Sequence, residues 1–94
     1  MIIEWLSSAL SDFDEIIDYI AQDNPAAAVE QGNEIEQQID GLLEHHQLGR
    51  TGRVKGTREL VIVRTPYVVA YRTQKSRIQI LRILHGARQW PGKF

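Results

Sequence analysis

The sequence predicts an α+β domain of order β-α-α-β-β-β, a helical hairpin packed on one face of a mainly antiparallel sheet. Three observations predict it. Apolar residues recur at helical spacing in the first half of the chain and at strand-like spacing in the second. The charge changes sign at the same border. Residues 1–49 hold eleven acids and no lysine or arginine, whereas residues 50–94 hold all eleven basic residues and one acid, Glu59. Finally, 94 residues allow one compact domain, 1–94, and no more.

The elements follow in order. Residues 2–6 (IIEWL) read as a short strand. From Ser8, the positions Phe13, Ile16, Ile17, Ile20 and Ala21 form one apolar stripe of an amphipathic helix. Ser7 or Ser8 is its expected cap, and Asp12, Asp14 and Glu15 lie in early turns where the helix dipole favours anions. The helix should stop near Asp23. Pro25 then suits the first turn of a second helix capped by Asn24, with Val29, Ile35, Ile39, Leu42 and Leu43 as its stripe and Gly32 allowing close helix approach. So short a link implies an antiparallel hairpin.

After His46 the pattern becomes β. Gly49, Gly52 and Gly56 punctuate a basic loop, GRTGRVKGTRE, with room for a short extra strand at Arg53–Lys55. Arg58–Arg64 (RELVIVR) reads as a strand, Thr65-Pro66 as a turn, Tyr67–Arg72 as the returning strand, and residues 73–76 as a polar turn. Arg77–Leu84 (RIQILRIL) is the last strand, followed by a tail containing His85, Arg88, Trp90 and Phe94. One sheet face takes the hairpin. The other should be partly open, with Arg58, Arg64, Arg72 and Arg82 on it or at its rim.

Composition narrows the function. Apolar residues are 43% of the chain and charged residues 24%, a globular mix. The absence of cysteine excludes disulfides, a cysteine zinc site and a thiol nucleophile. No apolar run approaches the 18 or so residues of a membrane span, so no membrane partner is expected. The N-terminus has acids and no basic region, unlike a signal or transit peptide, and a cytoplasmic location is the simplest expectation. The net charge of −1 is the sum of −11 and +10, so a basic half can still seek anions.

Local chemistry is sparse. His45 and His46 are adjacent, do not share a helix face, and stand far in sequence from His85, so no metal site is expected. Their simplest role is at a helix C-terminus, where the dipole favours them. GRTGRVKG lacks the residue order of a P-loop, although it sets Arg50, Arg53, Lys55 and Arg58 near exposed backbone, where a phosphate or acidic partner fits as well as solvent does. Glu59, His85 and Tyr71 are groups able to transfer protons, with Arg64, Arg72, Arg82 or Arg88 to stabilise phosphorane-like charge. Any basic sheet supplies those residue types. Trp90 beside cations can stack on a base, but packing or a protein contact suits it better.

Five segments in succession carry a resemblance. They are A-x-x-D-F-x-x-I-x-x-Y-I-A (Ala9 to Ala21), D-N-P-x-A-A (Asp23 to Ala28), G-R-x-G-R-V-x-G-T-R-E-L (Gly49 to Leu60), P-Y-V-V-A-Y-R (Pro66 to Arg72) and I-L-R-I-L-H-G-A-R-Q-W-P (Ile80 to Pro91). Together they resemble toxins of the RelE/ParE superfamily of bacterial type II toxin–antitoxin modules, over essentially the whole chain. The resemblance implies a bacterial cytoplasmic protein, neutralised by a cognate antitoxin and touching operator DNA only indirectly through it, with no cofactor and no metal.

The superfamily divides. RelE-like members are ribosome-dependent mRNA endonucleases, and ParE-like members poison DNA gyrase. The RelE pattern has lysines on the central strand and an arginine just after the aromatic that opens the next strand. Here Leu60-Val61-Ile62-Val63 is apolar, and Val68 follows Tyr67. The ParE-like branch is therefore favoured, with no bond-breaking chemistry and with Arg53, Arg58, Arg64, Arg72, Arg82, Arg88 and Trp90 as contacts for gyrase or antitoxin, consistent with roles in growth inhibition and plasmid stabilisation. One alternative is an mRNA endonuclease acting on the ribosome, with His85 as acid/base and Arg64 and Arg88 stabilising charge. Another is a non-toxic homologue kept for antitoxin binding and autoregulation.

Overall fold

A computed structural model describes all residues from Met1 to Phe94. The order is β1 (Ile2–Trp5), α1 (Ser7–Asp23), α2 (Pro25–Asp40) continued by a 3-10 turn (Gly41–Leu43), β2 (Arg50–Thr51), β3 (Arg58–Val61), β4 (Tyr67–Gln74) and β5 (Arg77–His85). The strands form one sheet in the order β1-β5-β4-β3-β2. Only the β1–β5 pair is parallel.

Asn24 makes the hairpin. Its backbone N–H closes α1 on the Ile20 carbonyl at 2.9 Å, and its side chain accepts from the Ala27 N–H at 3.0 Å to open α2, with Pro25 as the first helical residue. Gly32 lets the helices close up, since a Cβ there would lie 3.1 Å from Ile17 Cδ1. The buried line of α2 is Ala28, Gly32, Ile35 and Ile39, continued by Leu42. Val29 and Leu43, expected in that stripe, are exposed, because each lies about 100° around the helix from its buried neighbour.

Other expectations shift for local reasons. Leu6, not a serine, caps α1 through its carbonyl, and no acid falls in the first turn. The Ser8 hydroxyl instead donates to the Leu81 carbonyl at 2.8 Å. The extra strand is Arg50–Thr51 rather than Arg53–Lys55, because residues 53–56 make the turn back to β3, with Gly56 at φ 80°. β3 ends at Val61 rather than Arg64. Ile62 still bonds the Tyr67 carbonyl, but Arg64 takes φ 70°, which turns the chain.

A bulge sets the faces of the sheet. Ala70 pairs with Arg82 and Tyr71 with Ile80, so Leu81 is an extra residue in β5. Core positions on β5 are therefore Ile78, Ile80 and Ile83 rather than a strict alternation. They meet Leu60, Ile62, Tyr67, Val69 and Tyr71 from the sheet and Ala9, Ile35, Ile39 and Leu42 from the helical side. By alternation, Glu59, Val61, Val68, Ala70 and Leu84 face the other way. That second face is covered over most of its area, since Val68, Ala70 and Leu84 are buried, but it stays open at Val61, which is about half exposed. Past β5 the chain turns back, Gly86 donating to the Pro66 carbonyl at 2.8 Å.

Helix side chains finish the edges of the sheet. β1 stops at Trp5, and Leu6 makes the last backbone bond to β5, at the Ile80 carbonyl. From there α1 takes over. Ser8 meets the Leu81 carbonyl, and Asp12 accepts from the Ile83 N–H at 2.9 Å and from Arg82 Nε and Nη2 at 2.7 and 3.0 Å. At the opposite edge Gln38 of α2 accepts from the Val63 N–H at 2.8 Å and donates to its carbonyl at 3.1 Å. Three ion pairs join the acidic half to the basic half: Glu4–Arg77, Asp12–Arg82 and Glu34–Arg64. Asp12 is the most enclosed of these carboxylates, its side chain 11% exposed. Replacing it with Asn leaves Arg82 without its anion and should cost about 2–4 kcal/mol in urea denaturation. Glu4→Gln, in an exposed pair, should stay within about 0.5 kcal/mol.

Candidate functional site

The basic loop before β3 is wrapped around a carboxylate of its own chain. Glu59, 3% exposed, accepts from Arg50 Nε and Nη2 at 3.3 and 3.0 Å. It also accepts from the Arg53 backbone N–H at 2.8 Å and from Arg53 Nε and Nη2 at 3.0 and 3.1 Å. Gly52 permits the tight loop, because a Cβ there would collide with Thr57. The glycine-punctuated segment that has room for a phosphate thus holds Glu59 instead. Burial pushes the Glu59 carboxyl up, but the side-chain and backbone donors of Arg53 and the donors of Arg50 outweigh it and hold the group below the usual carboxylate range.

Arg53 also fixes the tail. Its guanidinium carbon lies 4.0 Å from the centroid of the Trp90 ring, which meets Phe94 edge-on at 6.4 Å. Trp90 therefore packs on the same face as Glu59, a protein contact rather than a free stacking surface.

Most of the other candidate cations are also committed within the chain. Arg64 Nη2 donates to Glu34 at 2.9 Å, and its Nε pairs with the other carboxylate oxygen at 2.6 Å; these bonds, with one from Gln38, hold the Glu34 carboxyl below its ordinary range. Arg82 is held by Asp12. Arg58 donates to the Gly49 carbonyl at 2.9 Å, and Arg72 to Gln79 at 2.7 Å. Arg88 is the one candidate arginine whose side chain makes no hydrogen bond or ion pair within the chain. It lines a cavity of about 150 Å3 with His85, Tyr67 and Tyr19. His85 Nδ1 accepts from the Ala87 N–H at 3.1 Å, which puts the proton of the neutral ring on Nε2. The His85 ring meets Tyr67 edge-on at 5.9 Å. Burial, then the neighbouring Tyr19, raises the Tyr67 hydroxyl above its usual range.

The acid–base set of Glu59, Tyr71 and His85 does not assemble. Tyr71 faces the core, opposite Glu59. Its hydroxyl donates to the His46 carbonyl at 2.8 Å and accepts from the Gly49 N–H at 2.9 Å. Arg64 is likewise tied to α2 rather than aimed at His85. Sequence reasoning gives Asp12 only a helix-dipole role and passes over Gln38. Asp12 had a signal, since it sits three residues after Ala9 and four before Ile16, inside the apolar stripe. Gln38 has none. No group of three or more histidine, aspartate or glutamate side chains is placed to hold a metal ion, and no helix is long and apolar enough to cross a membrane.

The Glu59 knot has a pH signature. Its folded pKa lies below the ordinary carboxylate value, so its stabilisation is present above that ordinary value and lost as pH falls through the folded one. Glu59→Gln should lower stability at pH 7 by about 1–3 kcal/mol, discounted for the half-exposed arginines, and flatten the acid limb of a stability profile measured by urea denaturation.

Comparison with known proteins is consistent along nearly the whole chain. The family described as the ParE toxin of type II toxin-antitoxin system, parDE, matches residues 3–90. The candidate toxin Y4kP of Sinorhizobium fredii is 42% identical over 89 residues, 95% of this chain and 92% of that protein. Toxin RelE2 of Caulobacter vibrioides is 37% identical over 86 residues, 92% of this chain and 96% of that protein. A solved structure described as the chromosomal ParDE TA system from P. aeruginosa superposes with a TM-score of 0.81 at 31% identity, covering 88% of this chain and 92% of that one.

Proposed function

This chain belongs to the ParE toxin family of type II toxin–antitoxin systems, and on that premise we propose that it arrests bacterial growth by poisoning DNA gyrase in the cytoplasm and is neutralised by a cognate antitoxin. One observation carries the choice of target. RNA cleavage needs several cations around the scissile phosphate. At the end of the sheet that bears His85, Arg64 is held by Glu34 and Arg82 by Asp12, which leaves Arg88. The strand segment Leu60–Val63 adds no lysine. A protein contact with gyrase needs no such cluster of free cations and asks for shape instead.

Cleavage of mRNA on the ribosome is the second reading. It is favoured by His85, Arg88 and Tyr67 lining one cavity and by the relative named RelE2. A third reading is antitoxin binding and autoregulation without toxicity, with operator DNA reached only through the antitoxin.

Expression of the chain alone in a susceptible host, with plasmid supercoiling and transcript integrity followed in one culture, separates the three. Growth arrest with lost supercoiling and intact transcripts is expected, and His85→Ala should not relieve it. Transcripts cut in a His85- and Arg88-dependent way would overturn the gyrase reading in favour of the second. Normal growth would favour the third.

A further inference from the structure

One edge of the sheet, β1, is apolar and unpaired. Ile2 and Leu6 donate to the Ser76 and Ile80 carbonyls at 3.1 and 3.0 Å. In a parallel pair that turns residues 2, 4 and 6 toward β5. The N–H and C=O of Ile3 and Trp5 then point outward, where the sheet has no further strand. Edges of this kind usually carry lysine, proline or a bulge that discourages pairing with another chain. β1 has none of these, and its one charge, Glu4, is held by Arg77 at 3.4 Å and by Gln79 at 2.9 Å. Met1 and Ile2 beside it are both about half exposed.

Such an edge can meet itself across a twofold axis. Two antiparallel registers overlap most of the strand. One centres on Glu4 and sets it directly opposite the second copy's Glu4, a like-charge pair that opposes association. The other centres on Ile3. It exchanges both backbone bonds between the two Ile3 residues, then pairs Trp5 with Met1 and faces Glu4 with Ile2. Opposite residues share a face, so the second copy's Met1 comes beside Trp5 on the side of the sheet that carries the helices. A cavity of about 470 Å3 opens there, lined by Trp5, Leu10, Phe13, Asp14, Glu36 and Asp40. Trp5 meets Phe13 edge-on at 5.5 Å, and a methionine sulfur packs well against such rings. Charge agrees with this register. It carries the second copy's β4–β5 turn, which adjoins Ile2 at the Ser76 carbonyl, to the Trp5 end of β1, where α1 begins. Lys75 of that turn is exposed and has no carboxylate in its own chain, while Asp14, Glu36 and Asp40 around the cavity have no cation.

We propose that the chain forms a twofold-symmetric dimer through its first strand, β1 pairing antiparallel with the β1 of a second copy about Ile3, so that two five-stranded sheets become one of ten strands. Each copy gives the outward N–H and C=O of Ile3 and Trp5, seats Met1 against the other's Trp5, and brings Lys75 toward the other's acidic cavity. A small molecule in the cavity would leave the strand edge unpaired. A second copy satisfies the edge, the aromatic wall and the free carboxylates together.

The test follows the purified full chain by sedimentation over a range of concentrations, with amide exchange read by NMR. A monomer–dimer equilibrium is expected, and exchange at the Ile3 and Trp5 amides should slow as the dimer fills. Ile3→Pro removes the central outward N–H while sparing the bonds to β5, and should raise the dissociation constant by about tenfold or more. Ile3→Val keeps the N–H and the branched side chain and should stay within about threefold. The chain has no cysteine, so single cysteine variants report the register under mild oxidation. Ile3→Cys should crosslink two copies, since Cα atoms of a bonded pair lie about 5.5 Å apart, and Glu4→Cys, too far from its own copy to bridge, should not. Should Ile3→Pro fail to fold, exchange in the unsubstituted chain and the crosslinks decide. A chain that stays monomeric at millimolar concentration overturns this inference. So does a dimer in which Ile3 and Trp5 exchange as in the monomer, a folded proline variant that dimerises normally, or a crosslink through Glu4→Cys in place of Ile3→Cys.

Discussion

The Asp12 carboxylate is the junction on which the architecture turns. It receives the Arg82 guanidinium and the Ile83 backbone N–H at the point where β1 has ended and β5 would otherwise run on with an unpaired edge. An unpaired N–H in a buried setting is expensive, and an unpaired guanidinium more so. Asp12 satisfies both from the buried face of α1, and so fixes how far along β5 the helix sits. That placement aims Ala9 and Phe13 at the core and carries α2 across the sheet toward the Gln38–Val63 contact. The two helices thus cover the sheet and also substitute for its missing edge partners.

This arrangement changes the meaning of the charge division. An acidic half and a basic half suggest a dipole with a cationic surface free for nucleic acid. In the folded chain, Arg64, Arg77 and Arg82 meet acids of the first half, while Arg50 and Arg53 close on Glu59. Much of the basic half is therefore spent on holding the protein together. Lys55, Arg58, Arg72, Lys75, Arg88 and Lys93 have no carboxylate partner, but the helices present the opposite sign, with Asp14, Asp18, Glu30, Glu36, Asp40 and Glu44 exposed without cations. A surface of that sign suits a basic protein partner better than it suits RNA.

The element order and the helical hairpin were legible because period and punctuation agree: Asn24-Pro25 marks one helix boundary, and alternation marks β4. The β5 face assignment was not, since the bulge at Leu81 shifts the alternation by one residue. The limit of β3 was also hidden, because RELVIVR has strand propensity throughout and only the left-handed turn at Arg64 ends it. The site was less legible. Sequence supplies the identity of Arg53, Arg64 and Arg82 but not their partners, which lie up to seventy residues away. The position of the tail was hidden for the same reason, as a segment with no periodicity gives no sign of folding back onto Arg53 through Trp90.

A double-mutant cycle on Asp12 and Arg82 tests the account most directly. Single and paired alanine substitutions would be followed by urea denaturation, with the hairpin–sheet junction as the only contact removed twice. A coupling energy of about 2 kcal/mol or more is predicted, because each group left alone is a charge stranded at a semi-buried junction. Additive losses, with coupling near zero, would contradict it and show that apolar packing alone seats the helices on the sheet.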